Sequence, residues 1–330
     1  MPCSNTVPAF NVKTTSEEVV AAFGEQVKGK TFVLTCAAKA GIGGHAAVTL
    51  ALREPAHIII ASRTEENVKS ILEEIAFIDS SVKTTFVQLE LTDRDSVRHA
   101  AEKISAVAPK VDVLINNAGI MAIQEYTTDK HGVELQLSAN YIGHFLLTNL
   151  LVPNLVAAGQ GSRVVNVVSN GYRVSPFRFD DWNFSGGKTY DPWSGYGQAK
   201  TAEILFAWAL TKRLKSRGVT ATALHPGTIW ETGLGVHLDI SSAFNSLGEV
   251  TKRNTGREWS WETPEAQRKT MTQGAATTLV AALDPEIPAK SPAYLANGHI
   301  HEALDYATDP EKADKLWSLT EEILGQKFEH

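Results

Sequence analysis

Cysteine is scarce. The chain has only Cys3 and Cys36 in 330 residues, and these form neither a disulfide framework nor a metal-ligand spacing, which suits a reducing compartment. None of the ten histidines stands in a His-Glu-x-x-His or Cys-x-x-Cys context. His299 and His301 come closest to a pair, but no carboxylate or thiol spacing supports them, so no metal is expected. There is no long basic run, the formal net charge is -6 and the pI is near 5.9, so the electrostatic footprint for nucleic acid or an anionic membrane is missing. The first thirty residues carry Glu17, Glu18 and Glu25 where a signal or spanning segment would be apolar. These absences leave a cytoplasmic protein, monomer or homodimer, with a small-molecule partner and no nucleic-acid or membrane partner.

The alternation of elements carries the fold. Thr15-x-x-Glu18 reads as a capping box opening a short helix, Glu17 to Gln26. The run Thr31 to Thr35 reads as a strand, followed by Cys36-Ala-Ala-Lys-Ala-Gly-Ile-Gly-Gly44 and an apolar helix, Ala46 to Leu52. Strand, glycine-bearing turn and helix N-terminus begin a dinucleotide site, because backbone N–H groups and the helix dipole meet a pyrophosphate there. Lys39, Gly41, Ile42 and Gly43 are the candidate residues, with Gly41 and Gly43 allowing close approach. Strand His57 to Ala61 ends in Ser62-Arg63 with no acid at its tip; Arg63, with Lys39, suits a 2′-phosphate and hence NADP(H), or else both are ordinary solvated charges. Helix Glu65 to Phe77, strand Thr85 to Leu89, helix Asp95 to Val107 and strand Val111 to Ile115 continue the series, with Glu90 where an adenine edge would lie. The fold class expected is α/β, a Rossmann-type doubly wound parallel sheet.

Further on, Tyr196 and Lys200 are four residues apart in a stretch whose apolar residues Leu205, Phe206, Ala209 and Leu210 mark a helix. A cation beside a phenol favours the phenolate, so a lowered tyrosine pKa is expected. Lys212, Arg213, Lys215 and Arg217 before Gly218 mark the helix end. The spacing alone is weak, since Tyr126 and Lys130 repeat it. That second pair lacks a strand-end serine ahead and a long helix behind, and reads as a surface loop.

The order of motifs resembles the short-chain dehydrogenase/reductase family. Asn116-Asn117-Ala118-Gly119 follows a strand; then come Asn140 in Ala-Asn-Tyr-Ile-Gly-His-Phe, Ser169 after Val164-Val-Asn-Val-Val, Tyr196 and Lys200, and His225-Pro226-Gly227. Phe-Asp-Asp-Trp (179 to 182) and Asp-Pro-Glu (309 to 311) are most similar to its retinol-dehydrogenase-like branch, particularly soluble fungal members. The resemblance implies an NADP(H)-dependent oxidoreductase interconverting a carbonyl and an alcohol. In it Tyr196 moves the proton, Lys200 lowers the tyrosine pKa and holds the nicotinamide ribose, Ser169 orients the carbonyl, and Asn140 supports a water relay. It also implies cofactor contacts from Asn117, Ala118, Gly119, Pro226, Gly227, Ile229 and Thr232.

The chain departs from that pattern in three places. Cys36 or Ala37 stands at the first glycine of the turn, where a Cβ at positive φ costs on the order of 1–2 kcal/mol. Val168 replaces a serine, and Glu231 stands where a threonine usually meets the nicotinamide, so that contact falls either to Glu231 or, with a one-residue shift, to Thr232. The resemblance makes residues 233–262 a substrate-covering lid between a core at 29–232 and C-terminal helices with a last strand at 263–330, behind an N-terminal appendage at 1–28. Helix Pro264 to Leu283, strand Ala293 to Leu295 and helix Pro310 to Leu324 complete a single domain. Tyr172, Trp193, Trp230, Phe244 and Trp259 either line an apolar pocket for a small to medium ketone or alcohol or simply close the core. Two other readings stay open: a dinucleotide binder without a redox step, and a non-redox isomerase or dehydratase.

Overall fold

In the computed structural model, which describes residues 9–239, 242–263 and 267–330, eight strands form one sheet. They are β1 Thr31–Thr35, β2 His57–Ser62, β3 Lys83–Gln88, β4 Val113–Asn116, β5 Ser162–Val167, β6 Val219–His225, β7 Ala293–Ala296 and β8 His299–His301. The order is β3-β2-β1-β4-β5-β6-β7-β8. All neighbours run parallel except β7 and β8, which pair antiparallel with Tyr294 opposite His301. The chain winds outward from β1 in one direction and from β4 in the other, so the crevice between their C-terminal ends is where such a sheet binds ligands.

Helices cover both faces because the central strands are apolar on both sides: β2, β4, β5 and β6 are buried along their whole length. On one face, helices Arg94–Val107, Gly143–Ala158, Pro192–Leu214 and Pro310–Leu324 share a core around Phe145, Phe206 and Trp317. On the other, helices Ser16–Ala22, Ile42–Ala51, Lys69–Ile78 and Met271–Leu283 pack around Phe32, Leu34 and Leu50. The run 135–158 is long and apolar enough to cross a membrane by length and composition, but 72% of its most apolar window is buried inside this fold.

Several boundaries differ from the sequence expectation. The capping box at Thr15 and Glu18 is present, but the helix ends at Ala22 and a 3₁₀ turn, Gly24–Gln26, follows. The glycine-turn helix starts at Ile42, four residues early, since Gly43 and Gly44 lie inside it. The next helix starts late, at Lys69. Pro264, taken as the start of a helix, lies outside the described residues, as does Cys3; the helix there begins at Met271, capped reciprocally by Thr270 and Gln273. The region 233–262, expected as a substrate-covering lid, contains a helix, Leu247–Thr255.

Candidate active site

The sequence places polar residues at the ends of three neighbouring strands, and the structure joins them. At the end of β1 the Thr35 hydroxyl accepts from the Asn117 and Ala118 backbone N–H groups at 2.9 and 3.0 Å. The Asn117 side chain donates to the carbonyls of Thr35 and Cys36, tying the segment after β4 to the glycine turn. Cys36 has φ 56, the left-handed conformation for which the missing glycine would be suited. The turn therefore keeps its course and carries the strain of a Cβ there.

Within the chain itself, Gly43 and Gly44 are the glycines packed closely against neighbouring segments. A Cβ on Gly43 would lie 2.5 Å from Asn117 Nδ2, and one on Gly44 would lie 2.3 Å from the Ala38 carbonyl oxygen. Gly41 is extended, with φ -141, and caps the helix without a side-chain hydrogen bond. The first amides of helix Ile42–Ala51 are thus left to an outside acceptor, and this cradle fits a dinucleotide pyrophosphate. Lys39 is exposed in the turn, and Ile42 opens the helix. Arg63 follows the tip of β2; burial pushes the Cys36 thiol pKa up, and the Arg63 charge is near enough to oppose that rise. Glu90 caps its own turn, its carboxylate accepting from Thr92 N–H and Oγ1.

Asn140 lies in a π-helical turn, Ser138–Ile142, between Leu135–Leu137 and Gly143–Ala158. Its side chain is locked in both directions to Ile120, Oδ1 accepting from the N–H at 2.8 Å and Nδ2 donating to the carbonyl at 2.9 Å. Its carbonyl accepts from His144 Nδ1 at 2.8 Å, because only a donor can face a carbonyl; His144 Nε2 then faces the Thr35 hydroxyl at 2.9 Å. Burial holds the His144 pKa down at about 4, with the Lys200 charge helping, so the ring is neutral. Gly119 sits between Asn140 and Lys200: a Cβ there would be 3.3 Å from Asn140 Oδ1 and 3.6 Å from Lys200 Nζ.

Ser169 ends the strand segment in extended conformation and caps a 3₁₀ turn, Asn170–Val174, its Oγ accepting from Gly171 N–H at 3.0 Å. Helix Pro192–Leu214 is started by Asp191, which accepts from Trp193 and Ser194 N–H, with Pro192 at its first position. Tyr196 is therefore one turn into the helix. The helix ends at the basic cluster, followed by Gly218 at φ 85. Tyr196 and Lys200 are both buried, and Lys200 Nζ lies 5.8 Å from the Tyr196 ring centre. Lys200 donates to the Val167 carbonyl and stands 2.8 Å from Glu203 Oε2. The tyrosine pKa is raised, not lowered as expected: burial pushes it up, and Lys200 and the Ser169 hydroxyl oppose that without overcoming it.

After Pro226, Gly227 has φ 105, and a Cβ on it would meet the Lys269 stem at 2.5 Å. Ile229 packs toward Gly274, Glu231 is exposed 3.9 Å from Arg268, and Thr232 Oγ1 donates to the Ile229 carbonyl. Gly233 N–H reaches the Ala40 carbonyl, so this loop touches the glycine turn. The aromatic residues divide. Trp193 lies 6.2 Å from the Tyr196 ring and 5.2 Å from Phe244, and donates through Nε1 to the Ala243 carbonyl. Phe244 also meets Trp230 and Trp261, and Trp261 meets Trp259. Tyr172 is the exception to the proposed lining: the 3₁₀ turn swings it into the core against Tyr294 and Tyr306.

Tyr126 and Lys130 diverge. Tyr126 donates to the Asn183 carbonyl, while Lys130 pairs with Asp93 and Asp95 at 2.7 and 2.9 Å. Among the described residues no cluster of His, Cys, Asp or Glu could hold a metal. Sequence reasoning missed Thr35, Gly44, His144 and Glu203. Gly44 was visible as the second of two adjacent glycines, and His144 and Glu203 as the helical neighbours of Asn140 and Lys200 at i+4 and i+3.

A family profile described as short chain dehydrogenase matches residues 30–239. The chain is 33% identical to mouse retinol dehydrogenase 12 over 92% of its own length and 89% of that protein. It is 35% identical to the short-chain dehydrogenase/reductase prx1 of Penicillium roqueforti over 91% and 86%. It is 34% identical to the oxidoreductase fscI of Fusarium equiseti over 67% and 95%. Among solved structures, a short chain dehydrogenase from Burkholderia cenocepacia in complex with NADP superposes with TM-score 0.60 at 20% identity, covering 82% of this chain and 96% of that one. With this profile match and these relatives spanning the residues that meet around Tyr196, the chain belongs to the short-chain dehydrogenase/reductase family of oxidoreductases, in its retinol-dehydrogenase-like branch.

Proposed function

We propose that this oxidoreductase uses NADP(H) to interconvert a carbonyl and an alcohol on a small to medium apolar molecule, with Tyr196 as the proton donor and acceptor. The observation that carries the reading is the convergence of Ser169, Tyr196 and Lys200 beside the Gly43–Gly44 cradle at the sheet's switch point. The nicotinamide supplies or accepts the hydride. In reduction Tyr196 Oη gives its proton to the carbonyl oxygen; in oxidation it takes the alcohol proton. Ser169 Oγ, already close enough to influence the Tyr196 hydroxyl, orients the same oxygen. Lys200 keeps a fixed positive charge beside the phenol, which favours the phenolate when the proton leaves. Trp193 and Phe244 supply an apolar wall next to Tyr196, which supports an apolar substrate and keeps water from the transfer.

Arg63 after β2 and Lys39 in the turn support the 2′-phosphate preference. Cytoplasmic action as a monomer or homodimer completes the proposal. The test is a panel of apolar ketones with NADPH or NADH, followed by cofactor absorbance and product analysis, together with cofactor titrations of Arg63→Ala. Selective loss of NADPH affinity supports the phosphate contact, and equal loss of both cofactors removes it. Product formed without cofactor turnover would replace the redox reading with an isomerase or dehydratase.

A further inference from the structure

The catalytic helix buries one charge that proton transfer does not use. Glu203 is three residues after Lys200, on the same side of the helix, and both side chains are almost wholly inaccessible. Its two carboxylate oxygens have no hydrogen-bond partner of good geometry among the described residues, and Oε2 stands 2.8 Å from Lys200 Nζ. A buried carboxylate without hydrogen bonds persists only beside an opposite charge. Among the described residues, the polar groups presented toward the pair from β4, β5, helix Gly143–Ala158 and the turn after β5 are uncharged. On β5, Asn166 donates to the Glu203 carbonyl and Val167 accepts from Lys200. On β4, Asn116 bridges Asn166 to Thr148 of the helix beyond. His144, on that helix, is neutral, and Ser169 presents only a hydroxyl.

We propose that Glu203 is a positioning residue of this active site: its carboxylate cancels the Lys200 charge inside the fold, fixes the ammonium, and thereby governs how readily Tyr196 releases its proton. Burial pushes the Glu203 pKa up to about 7, with Lys200 opposing the rise. Above that pH, with Lys200 protonated, Glu203 ionised and Tyr196 neutral, the cluster carries no net charge. Losing the tyrosine proton then leaves a net negative charge in a buried site. Without the Glu203 charge the same loss takes the cluster from positive to neutral, which burial favours. Burial alone would pull the Lys200 pKa down, yet Glu203 and Tyr196 outweigh it, and Glu203 also adds to the rise at Tyr196.

The inference rests on the reading of Tyr196 as the proton-transfer group, but its test needs neither substrate nor turnover. The phenolate absorbance of the whole protein is titrated against pH, and the curve of Tyr196→Phe is subtracted to isolate Tyr196. Glu203→Gln should move the midpoint down by roughly one unit or more, and Glu203→Asp should restore most of the shift. Glu203→Asn carries the same test where the glutamine variant does not fold. An unmoved or raised midpoint in a folded neutral variant overturns the proposal, because a merely structural role would change stability and leave the titration in place. Failure of turnover with the shift intact would count against the catalytic reading alone.

Discussion

The chain contains the same four-residue spacing of tyrosine and lysine twice, and the two pairs behave as different chemistry. Tyr196 and Lys200 lie within a 23-residue helix, buried, with a strand-end serine on one side and a buried carboxylate on the other. Tyr126 and Lys130 lie in a surface segment where the tyrosine meets Asn183 and Tyr190 and the lysine meets two exposed aspartates. Burial raises both phenols, but only at Tyr196 do a cation and a serine hydroxyl oppose that rise. Spacing sets what can be neighbours; the elements packed around them set how deeply they are buried and which groups face them.

The largest expected contrast is in turnover. Tyr196→Phe should lower it by ~10²–10⁴-fold while leaving NADPH affinity nearly unchanged, whereas Tyr126→Phe should leave both rates and affinity alone. An equal loss from the two variants would dissolve the distinction. Stability separates the lysines next. Lys200→Met strands the Glu203 carboxylate and should cost roughly 3–5 kcal/mol in a denaturant titration, with Glu203→Gln in the same chain restoring much of it. Lys130→Met, at a solvated ion pair, should leave the denaturation midpoint in place.

A smaller effect belongs to His144, which joins the buried pair's surroundings. Its pKa is held at about 4 against an ordinary 6.5, so the unfolded chain takes up a proton that the folded one refuses. Its contribution to stability is complete above pH 6.5 and is lost as pH falls toward 4, amounting to at most ~3 kcal/mol. His144→Gln should flatten the fall of Tm over that window; an unchanged slope would mean that other groups cause it. The smallest effect is expected at the opposite rim of the site. Cys36→Gly should stabilise the protein by about 1 kcal/mol, because φ 56 no longer carries a side chain. A neutral or destabilising result in thermal denaturation would show that the thiol makes compensating contacts.

Local patterns were legible where a single element determined them. Strand Thr31–Thr35 and helix Pro310–Leu324 stand as expected, one as a compact β-branched and apolar run, the other begun by Asp309 and Pro310 and ended before Gly325. Strands β4 and β5 and the helix of Tyr196 could be ordered because their motifs follow one another at strand ends. Features requiring two distant segments were less visible. Helix Leu247–Thr255 has a narrow apolar stripe, Leu247 and Val250, that packs in one cluster with Val174, Trp193 and Tyr196. Tyr172 follows Ser169 closely in the chain, but the intervening 3₁₀ turn directs it away from the crevice. The sign of the Tyr196 pKa shift was missed for the same reason: the sequence shows the lysine beside the phenol but not the depth at which both are held.

The short N-terminal helix, read as an appendage, is in fact a splint across two helices of the cofactor side. Ser16 Oγ reaches both Thr49 and Thr272 hydroxyls, and Val19, Val20, Phe23 and Val27 lie in the same core as β1. Anyone trimming the chain to a minimal catalyst would be tempted to start at Thr31, where the strands begin. That cut would bare one flank of the very helix that follows the glycine turn, and the shortened product should precipitate on expression before its kinetics could be measured.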